Sequence, residues 1–144
     1  MAQKWKHDEA FTPPAPVVKA KLCGQSVNLL VDTGFSGGVL IPFWMFERMS
    51  LLSYLTPDEY YAVMADTRRI RLYTATGVLT LGSKKHTVNI HSSPYIDKKI
   101  VGRDFLKRFL LTLNGPKSQL IVSYPATNHE APLSMTLLLP FCQP

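Results

Sequence analysis

The 144-residue sequence predicts an all-β domain with one or two short helices. Three observations support this fold class. Short apolar segments separated by turn residues recur along most of the chain, which is typical of paired strands. Apolar residues at helical spacing are confined to a few short stretches. The length suits one domain with a hydrophobic core, because two full-sized lobes would need a longer chain.

The first sixteen residues are predicted to be a flexible, proline-rich arm. They end in the sequence TPPAP at 12–16, and proline lacks the backbone N–H that a helix needs. The folded pattern begins at Val17. We therefore expect an arm at 1–16, one domain at 17–122 and a C-terminal tail at 123–144.

Two strands joined by a turn are expected to open the domain. The segments 17–22 and 27–31 are rich in apolar residues, and the turn sequence CGQS lies between them at 23–26. The second strand leads directly into DTGFSGG at 32–38, which is followed by the apolar residues 39–41.

Two helical segments are predicted next. Residues 43–52 carry apolar side chains at helical spacing. The sequence TPDE at 56–59 has the features of a helix start, since Thr56 can cap the helix, Pro57 suits the first helical position and Glu59 stands three residues after the cap.

The rest of the pattern is mostly strand. Residues 100–109 (IVGRDFLKRF) predict a buried strand that turns into a short helix, and the turn sequence NGP at 114–116 predicts a closing hairpin. The other expected strands are 71–73, 77–81, 86–90, 111–113 and 119–122.

Composition and charge exclude several classes of protein. The net charge of +6 is spread over separate basic pairs at 68–69, 84–85 and 98–99, which favours a solvated surface over a nucleic-acid site. No apolar stretch reaches the about 18–20 residues of a membrane span, and the polar N-terminus does not resemble a secretory signal. Cys23 and Cys142 lie outside any CxxC pattern, so we expect reduced thiols and a cytoplasmic location.

The candidate site is the sequence Asp32-Thr33-Gly34. A carboxylate directly after the apolar strand residues 29–31 is costly to bury unless it is paired or hydrogen-bonded. Thr33 offers a hydroxyl group, and Gly34 allows a close backbone approach. Three residues alone fit a simple turn after a strand as well as a site.

The wider context resembles the active-site loop of retropepsin-like aspartic proteases. In this chain DTG at 32–34 follows an apolar strand and precedes SGG at 36–38 and a further apolar segment. The sequence IVG at 100–102, with the predicted helix after it, looks like that family's apolar-apolar-Gly strand. The resemblance covers about residues 17–122 and implies a closed β-barrel or sandwich that acts as a homodimer.

The resemblance implies an aspartic endopeptidase that hydrolyses extended polypeptides without a metal or another cofactor. Such catalysis uses two aspartates that share one proton, because two carboxylates so close together do not both ionise cheaply. One activates a water molecule and the other hydrogen-bonds to the scissile carbonyl. This chain has a single Asp-Thr-Gly, so the resemblance implies a homodimer with Asp32 of each subunit at the two-fold axis.

Further roles follow from the same resemblance. Thr33 is expected to hydrogen-bond across the axis, and the Gly34 carbonyl is expected to bind the substrate backbone. Arg103 is expected to brace the active-site loop through Asp104 or backbone carbonyls. Phe35 stands where the family often has a small residue, so its ring either narrows a subsite or turns outwards, and this bears on substrate preference.

The resemblance also implies a hairpin flap that closes over the substrate. Counting back from Gly102 places its tip near residues 65–69. The tentative substrate-binding residues there are Ala65, Asp66, Thr67 and Arg68. A rival position is the sequence TATG at 74–77, which leaves too little chain before the next strands.

Two other functions stay open at this point. A dimeric peptide-binding or scaffolding module without catalytic activity is the main alternative, although a pure binder has no need of the Asp32 carboxylate pair. A small basic nucleic-acid-binding domain is the other, and salt-dependent binding would support it. His86 and His91 have no third ligand in register, so we interpret them as exposed strand or turn histidines.

Overall fold

The computed structural model describes residues 2–125 and consists mostly of strands, with two short α-helices. This confirms the predicted all-β class. In chain order the elements are β1 (Ala2–Lys6), β2 (Val17–Leu22), β3 (Gln25–Val31), β4 (Val39–Leu40), α1 (Phe43–Arg48), a 3-10 helix (Leu51–Tyr54), β5 (Tyr60–Val63), β6 (Arg69–Leu81), β7 (Lys84–Ser92), β8 (Ile100–Val101), α2 (Arg103–Leu106), β9 (Leu110–Asn114) and β10 (Gln119–Ser123).

Seven strands form one sheet that closes almost completely on itself. Their order is β2-β3-β8-β4-β7-β6-β5, and β2 also pairs with β6. That extra pairing places Leu22 opposite Leu79 and brings the two sides of the sheet together. The side chains of Leu29, Phe46 and Ile90 fill the interior and are fully buried. Burial of this apolar surface is the main stabilising contribution to the barrel.

The opening hairpin is confirmed. Strands β2 and β3 are antiparallel, with Leu22 opposite Gln25 across a two-residue turn. Cys23 and Gly24 both have positive φ, 50° and 82°, as a type I′ hairpin turn requires. Cys23 is disulfide-bonded in the structure, so the expectation of a reduced thiol is wrong for this residue. Cys142 lies outside the described residues, and the cytoplasmic location stays a prediction.

The expected helix after Thr56 is wrong. The local capping contact is present, because the Asp58 N–H donates to Thr56 Oγ1 at 3.4 Å. The chain then continues as strand β5 and pairs with β6, with Tyr60 opposite Leu72. Residues 60–63 (YYAV) favour strand, and a partner strand outweighs the local helix-start pattern. The separate strands expected at 71–73 and 77–81 are both parts of β6.

A second sheet of three strands, in the order β1-β10-β9, joins the two ends of the described chain. The closing hairpin β9–β10 is confirmed. Strand β1 was not predicted, and it pairs along its whole length with β10, from Ala2 opposite Ser123 to Lys6 opposite Gln119. Trp5 packs against the core of the barrel. The segment expected to be a flexible arm therefore contributes a strand, whose partner lies more than a hundred residues away in the sequence.

The predicted tail 123–144 lies largely outside the described residues. Ser123 ends β10, and Tyr124 packs against the core and hydrogen-bonds to His86. Among the helices within residues 2–125, none has the length and apolar character needed to cross a membrane.

Candidate active site

Asp32 lies where the chain leaves the sheet after β3. Strands β3 and β8 are parallel neighbours, with Leu30 opposite Ile100 and Val31 opposite Val101. The Asp32 N–H donates to the Val101 carbonyl oxygen at 3.0 Å, so the start of the loop is fixed by β8. The loop at 32–38, which we call the Asp32 loop, then leads into β4.

Short contacts within the Asp32 loop orient the carboxylate. The Gly34 N–H donates to Asp32 Oδ1 at 2.9 Å, and the Phe35 N–H donates to the Asp32 carbonyl oxygen at 3.1 Å. Asp32 is partly exposed, while Thr33 and Gly34 are exposed. The three residues predicted for the site therefore lie together at the surface of one chain, with the carboxylate accessible from outside.

The segment that contains Arg103 braces the Asp32 loop through its backbone. Three successive N–H groups donate to loop carbonyl oxygens: Gly102 to Gly38 at 2.7 Å, Arg103 to Phe35 at 2.9 Å and Asp104 to Gly37 at 3.1 Å. These donors are backbone groups, so the bracing role expected for Arg103 stays a prediction. The Arg103 side chain is exposed, and within residues 2–125 the Asp104 carboxylate pairs with Lys107 Nζ at 2.9 Å.

Glycine at position 102 is required by this contact. A Cβ atom there would lie 2.5 Å from the Gly37 carbonyl oxygen and 2.6 Å from the Phe35 carbonyl oxygen. Both obstacles are backbone atoms, which cannot rotate away. The glycine of the IVG sequence therefore lets β8 and α2 approach the Asp32 loop closely.

The Phe35 ring turns inward. It is 9% exposed and packs edge-on against the His91 ring, with 5.7 Å between the ring centroids. It belongs to a small apolar cluster with Leu40, Leu72 and Ile100. The outward orientation considered from the sequence is therefore wrong, and the ring forms part of a cavity wall.

The predicted flap residues lie at the tip of the β5–β6 hairpin. The turn is closed by the Met64 N–H, which donates to the Arg68 carbonyl oxygen at 2.8 Å, and by the Thr67 N–H, which donates to Met64 at 2.9 Å. Asp66 and Arg68 form an exposed ion pair at 2.7 Å, and Ala65 is also exposed. The rival position at 74–77 is not a turn, because it lies inside β6.

Two cavities lie beside the hairpin, and Leu72 of β6 contributes to both. The first, of about 310 Å³, lies between the hairpin and the Asp32 loop. The second, of about 640 Å³, lies between the hairpin and residues 93–95, with Arg68, Arg69 and Arg71 along its wall. The structure thus brings the hairpin and the Asp32 loop to the two sides of one cavity.

The sequence did not predict that His91 is buried. This residue was expected to be exposed, but it is 1% exposed and its Nδ1 lies 2.7 Å from the Thr74 hydroxyl oxygen. Burial lowers its pKa to about 4, against a smaller opposing effect of Asp104. The segment HTVNIHSS at 86–93 gave no signal for this, because the burial comes from Phe35, Tyr60 and Thr74 of other elements. Within residues 2–125, no group of three metal-ligating side chains occurs.

Comparison with known proteins identifies the fold. No protein-family model matches the sequence, and no curated protein matches it. Among solved structures, the retropepsin-like aspartic protease from Rickettsia conorii matches with a TM-score of 0.63 and 17% identity over 88% of this chain and 94% of that one. The EIAV protease complexed with the inhibitor HBY-793 matches with a TM-score of 0.48 and 17% identity, over 65% of this chain and 86% of that one. The chain has the retropepsin-like fold, which confirms the resemblance at the level of structure.

Proposed function

We propose that this chain is an aspartic endopeptidase that acts as a homodimer on extended polypeptides. The observation that carries the proposal is the position of Asp32 within a retropepsin-like fold. Its carboxylate lies on a loop fixed by β8, is held by the Gly34 N–H and stays partly exposed. A carboxylate that is oriented but accessible is suited to activate a water molecule.

The chemistry needs two carboxylates, and one chain supplies one Asp-Thr-Gly. A two-fold dimer places a residue and its symmetry mate together when that residue lies near the axis. Asp32, Thr33 and Gly34 are all at least partly exposed on the single chain, so a second copy can cover them. We therefore infer a shared site made from two Asp32 loops.

In this mechanism the two Asp32 side chains share one proton. The ionised carboxylate takes a proton from water as the water oxygen attacks the peptide carbonyl carbon. The protonated partner hydrogen-bonds to the carbonyl oxygen and stabilises the negative charge that develops there. The C–N bond then breaks, and the amine nitrogen leaves with the proton that came from water.

The surrounding elements position the substrate and the loop. The three backbone contacts from residues 102–104 support the Asp32 loop, and the role proposed for Arg103 is to help position it. The β5–β6 hairpin is the candidate flap, with Ala65, Asp66, Thr67 and Arg68 at its exposed tip. A peptide that lies extended beneath it can place side chains in the two cavities beside Leu72. Closure of the hairpin would exclude water from the site.

The test compares the wild type with Asp32→Asn on a mixed peptide library from about pH 3 to 8, with cut sites identified by mass spectrometry. Asp32→Asn removes the shared ionisation while keeping the size of the side chain, so we expect folding and dimerisation to persist and cleavage to disappear. Glu47→Gln is the matched control, because it removes an exposed carboxylate on α1 and is expected to cleave like the wild type.

The outcomes separate the competing functions. Cuts made by the wild type and Glu47→Gln but not by Asp32→Asn support the protease. A dimeric wild type that binds library peptides without cutting them would instead indicate the inactive peptide-binding module. Unfolding of Asp32→Asn would show that Asp32 has a structural role.

A further inference from the structure

The His91 side chain is buried with half of its hydrogen-bonding capacity unused. Nδ1 contacts the Thr74 hydroxyl at 2.7 Å, while Nε2 has no hydrogen-bond partner within residues 2–125. The residue is 1% exposed. Buried polar atoms in folded proteins almost always have a partner in the protein, in ordered water or in a ligand. The free nitrogen therefore indicates a missing partner.

The residue that carries this nitrogen lines the cavity of about 310 Å³. His91 and Gly37 both line this cavity, and a Cβ atom on Gly37 would lie 2.7 Å from His91 Nε2. Glycine at 37 therefore lets the loop backbone lie directly against the His91 and Phe35 rings, where a Cβ atom has no room. The volume is about ten times the share of one water molecule in the liquid, so it accommodates a side chain.

The cavity lies where a substrate bound by the proposed protease would place a side chain. One wall consists of residues 35–37, which begin three positions after Asp32. The facing wall includes Tyr60 and Leu72 of the β5–β6 hairpin. A peptide extended between the Asp32 loop and the hairpin passes this opening, and side chains of an extended chain point alternately to the two sides.

The chemistry of the wall favours a neutral polar side chain. Burial keeps His91 uncharged above about pH 4, so it offers no cation to an acidic group. The Asp104 carboxylate, which also lines the cavity, disfavours an acidic group further. An apolar side chain would leave Nε2 unpaired. A carboxamide both donates and accepts, so it can bond to Nε2 in either tautomer of the imidazole.

We propose that this cavity binds an asparagine or glutamine side chain of the polypeptide substrate and that His91 Nε2 determines this specificity. The inference rests on the proposed protease function. Phe35 and Leu72 contact the aliphatic part of the substrate side chain, and Nε2 binds its amide end. The Asn89 amide and the Tyr60 hydroxyl, 3.4 Å apart, provide further polar groups in the same wall.

The first test measures residue preference in the peptide-library cleavage products. At one fixed position relative to the cut, we expect the wild type to prefer asparagine over leucine, and glutamine over methionine, by about tenfold. Each pair is similar in size, so the ratio isolates the hydrogen bond. In His91→Leu we expect the ratio to fall to about one or to reverse.

His86→Leu is the matched control. His86 also has a pKa lowered to about 4, but it packs among Phe105, Phe109 and Tyr124, away from the cavity. We expect this variant to keep the wild-type ratio. A ratio is compared within one protein, so a general loss of activity or stability in either variant does not change the interpretation.

A second measurement does not depend on the His91 variant. In the uncut complex of Asp32→Asn with a glutamine-containing peptide, the ¹⁵N resonance of His91 Nε2 should shift relative to the same peptide with methionine. Equal resonances with both peptides would overturn the inference and indicate water as the partner. Cleavage with the same preferences in wild type and His91→Leu would overturn it while leaving the protease function standing. No cleavage by the wild type at any pH would overturn the proposed function, and this inference with it.

Discussion

Burial lowers the pKa of two histidines, His86 and His91, to about 4. Desolvation is the main cause in both cases, and the nearby charges of Arg108 and Lys84 add to it at His86. At His91 the Asp104 carboxylate acts in the opposite direction but is outweighed. Both imidazoles are therefore neutral in the folded protein at neutral and mildly acidic pH. In the unfolded chain they gain a proton near their ordinary pKa of 6.5.

This difference predicts that the protein loses stability in mild acid. The unfolded chain binds more protons than the folded protein between pH 6.5 and about 4, so the stability present above pH 6.5 is lost as the pH falls through that window. For the more buried His91, the loss in free energy of unfolding is on the order of 3 kcal/mol. Urea unfolding at pH 7, 5.5 and 4 measures it.

Comparison with a variant isolates the histidine, since carboxylates also titrate near the lower end of this window. His91→Leu should show a smaller fall in stability between pH 7 and 5.5 than the wild type. Glu47→Gln changes an exposed carboxylate on α1. Its free energy of unfolding should fall as much as that of the wild type between pH 7 and 5.5. If the free energy of unfolding falls equally with pH in His91→Leu and the wild type, then His91 takes up protons in the folded protein as readily as in the unfolded chain.

At the scale of elements, the candidate site depends on how α2 meets the Asp32 loop. Three successive N–H groups at the start of α2 donate to loop carbonyl oxygens, and α2 has no side-chain cap. The loop therefore satisfies donors that a helix N-terminus normally leaves free. The same contacts fix the backbone of the loop that carries Asp32. Close approach requires Gly102, where a Cβ atom would meet two backbone oxygens.

Gly102→Ala should therefore damage both stability and activity. The added methyl group forces the Asp32 loop and α2 apart, and overpacking of this kind costs about 1–3 kcal/mol. Because small displacements of catalytic groups strongly reduce rates, we expect cleavage to fall about a hundredfold. Urea unfolding and the cleavage assay measure the two effects. Gly115→Ala is the control, since a Cβ atom there meets nothing within 4 Å. Wild-type cleavage by Gly102→Ala would show that the loop tolerates the displacement.

Elements whose partners are close in sequence were predictable. The hairpins β2–β3 and β9–β10 and the β8–α2 segment follow from local apolar runs and turn residues. Strand β1 was missed because its partner β10 lies at the other end of the described chain. The helix expected at Thr56 was wrong because pairing with β6 outweighs a local cap, which still forms at 3.4 Å.

The candidate site divides in the same way. The Asp32 loop and a segment around Arg103 that braces it could be expected, because two short sequences in order carry the family resemblance. The cavity beside the Asp32 loop could not be predicted from the sequence. Its buried group, His91, depends on Phe35, Tyr60 and Thr74, which reach it from three separate elements. Their convergence exists only in the folded chain.

At the scale of the whole molecule, the proposed mechanism needs two carboxylates, and a single chain carries one Asp-Thr-Gly sequence. The sheet is nearly closed, and the Asp32 loop lies at its surface with Thr33 and Gly34 exposed. Among the other aspartates of the described residues, Asp66 and Asp104 are held in ion pairs, with Arg68 and Lys107 respectively. In the proposed mechanism the second carboxylate is Asp32 of another copy of the chain.

Mixing subunits tests this requirement directly. If every active site needs two intact Asp32 side chains, refolding equal amounts of wild type and Asp32→Asn together yields active dimers in only about a quarter of the population, because subunits pair at random. Cleavage per total chain should then fall to about a quarter of the wild-type value, and dilution that separates the dimers should lower it further. Mixing with Glu47→Gln should leave cleavage unchanged. A value of about a half would show that each chain cleaves with its own Asp32 alone, and the shared site would have to be abandoned.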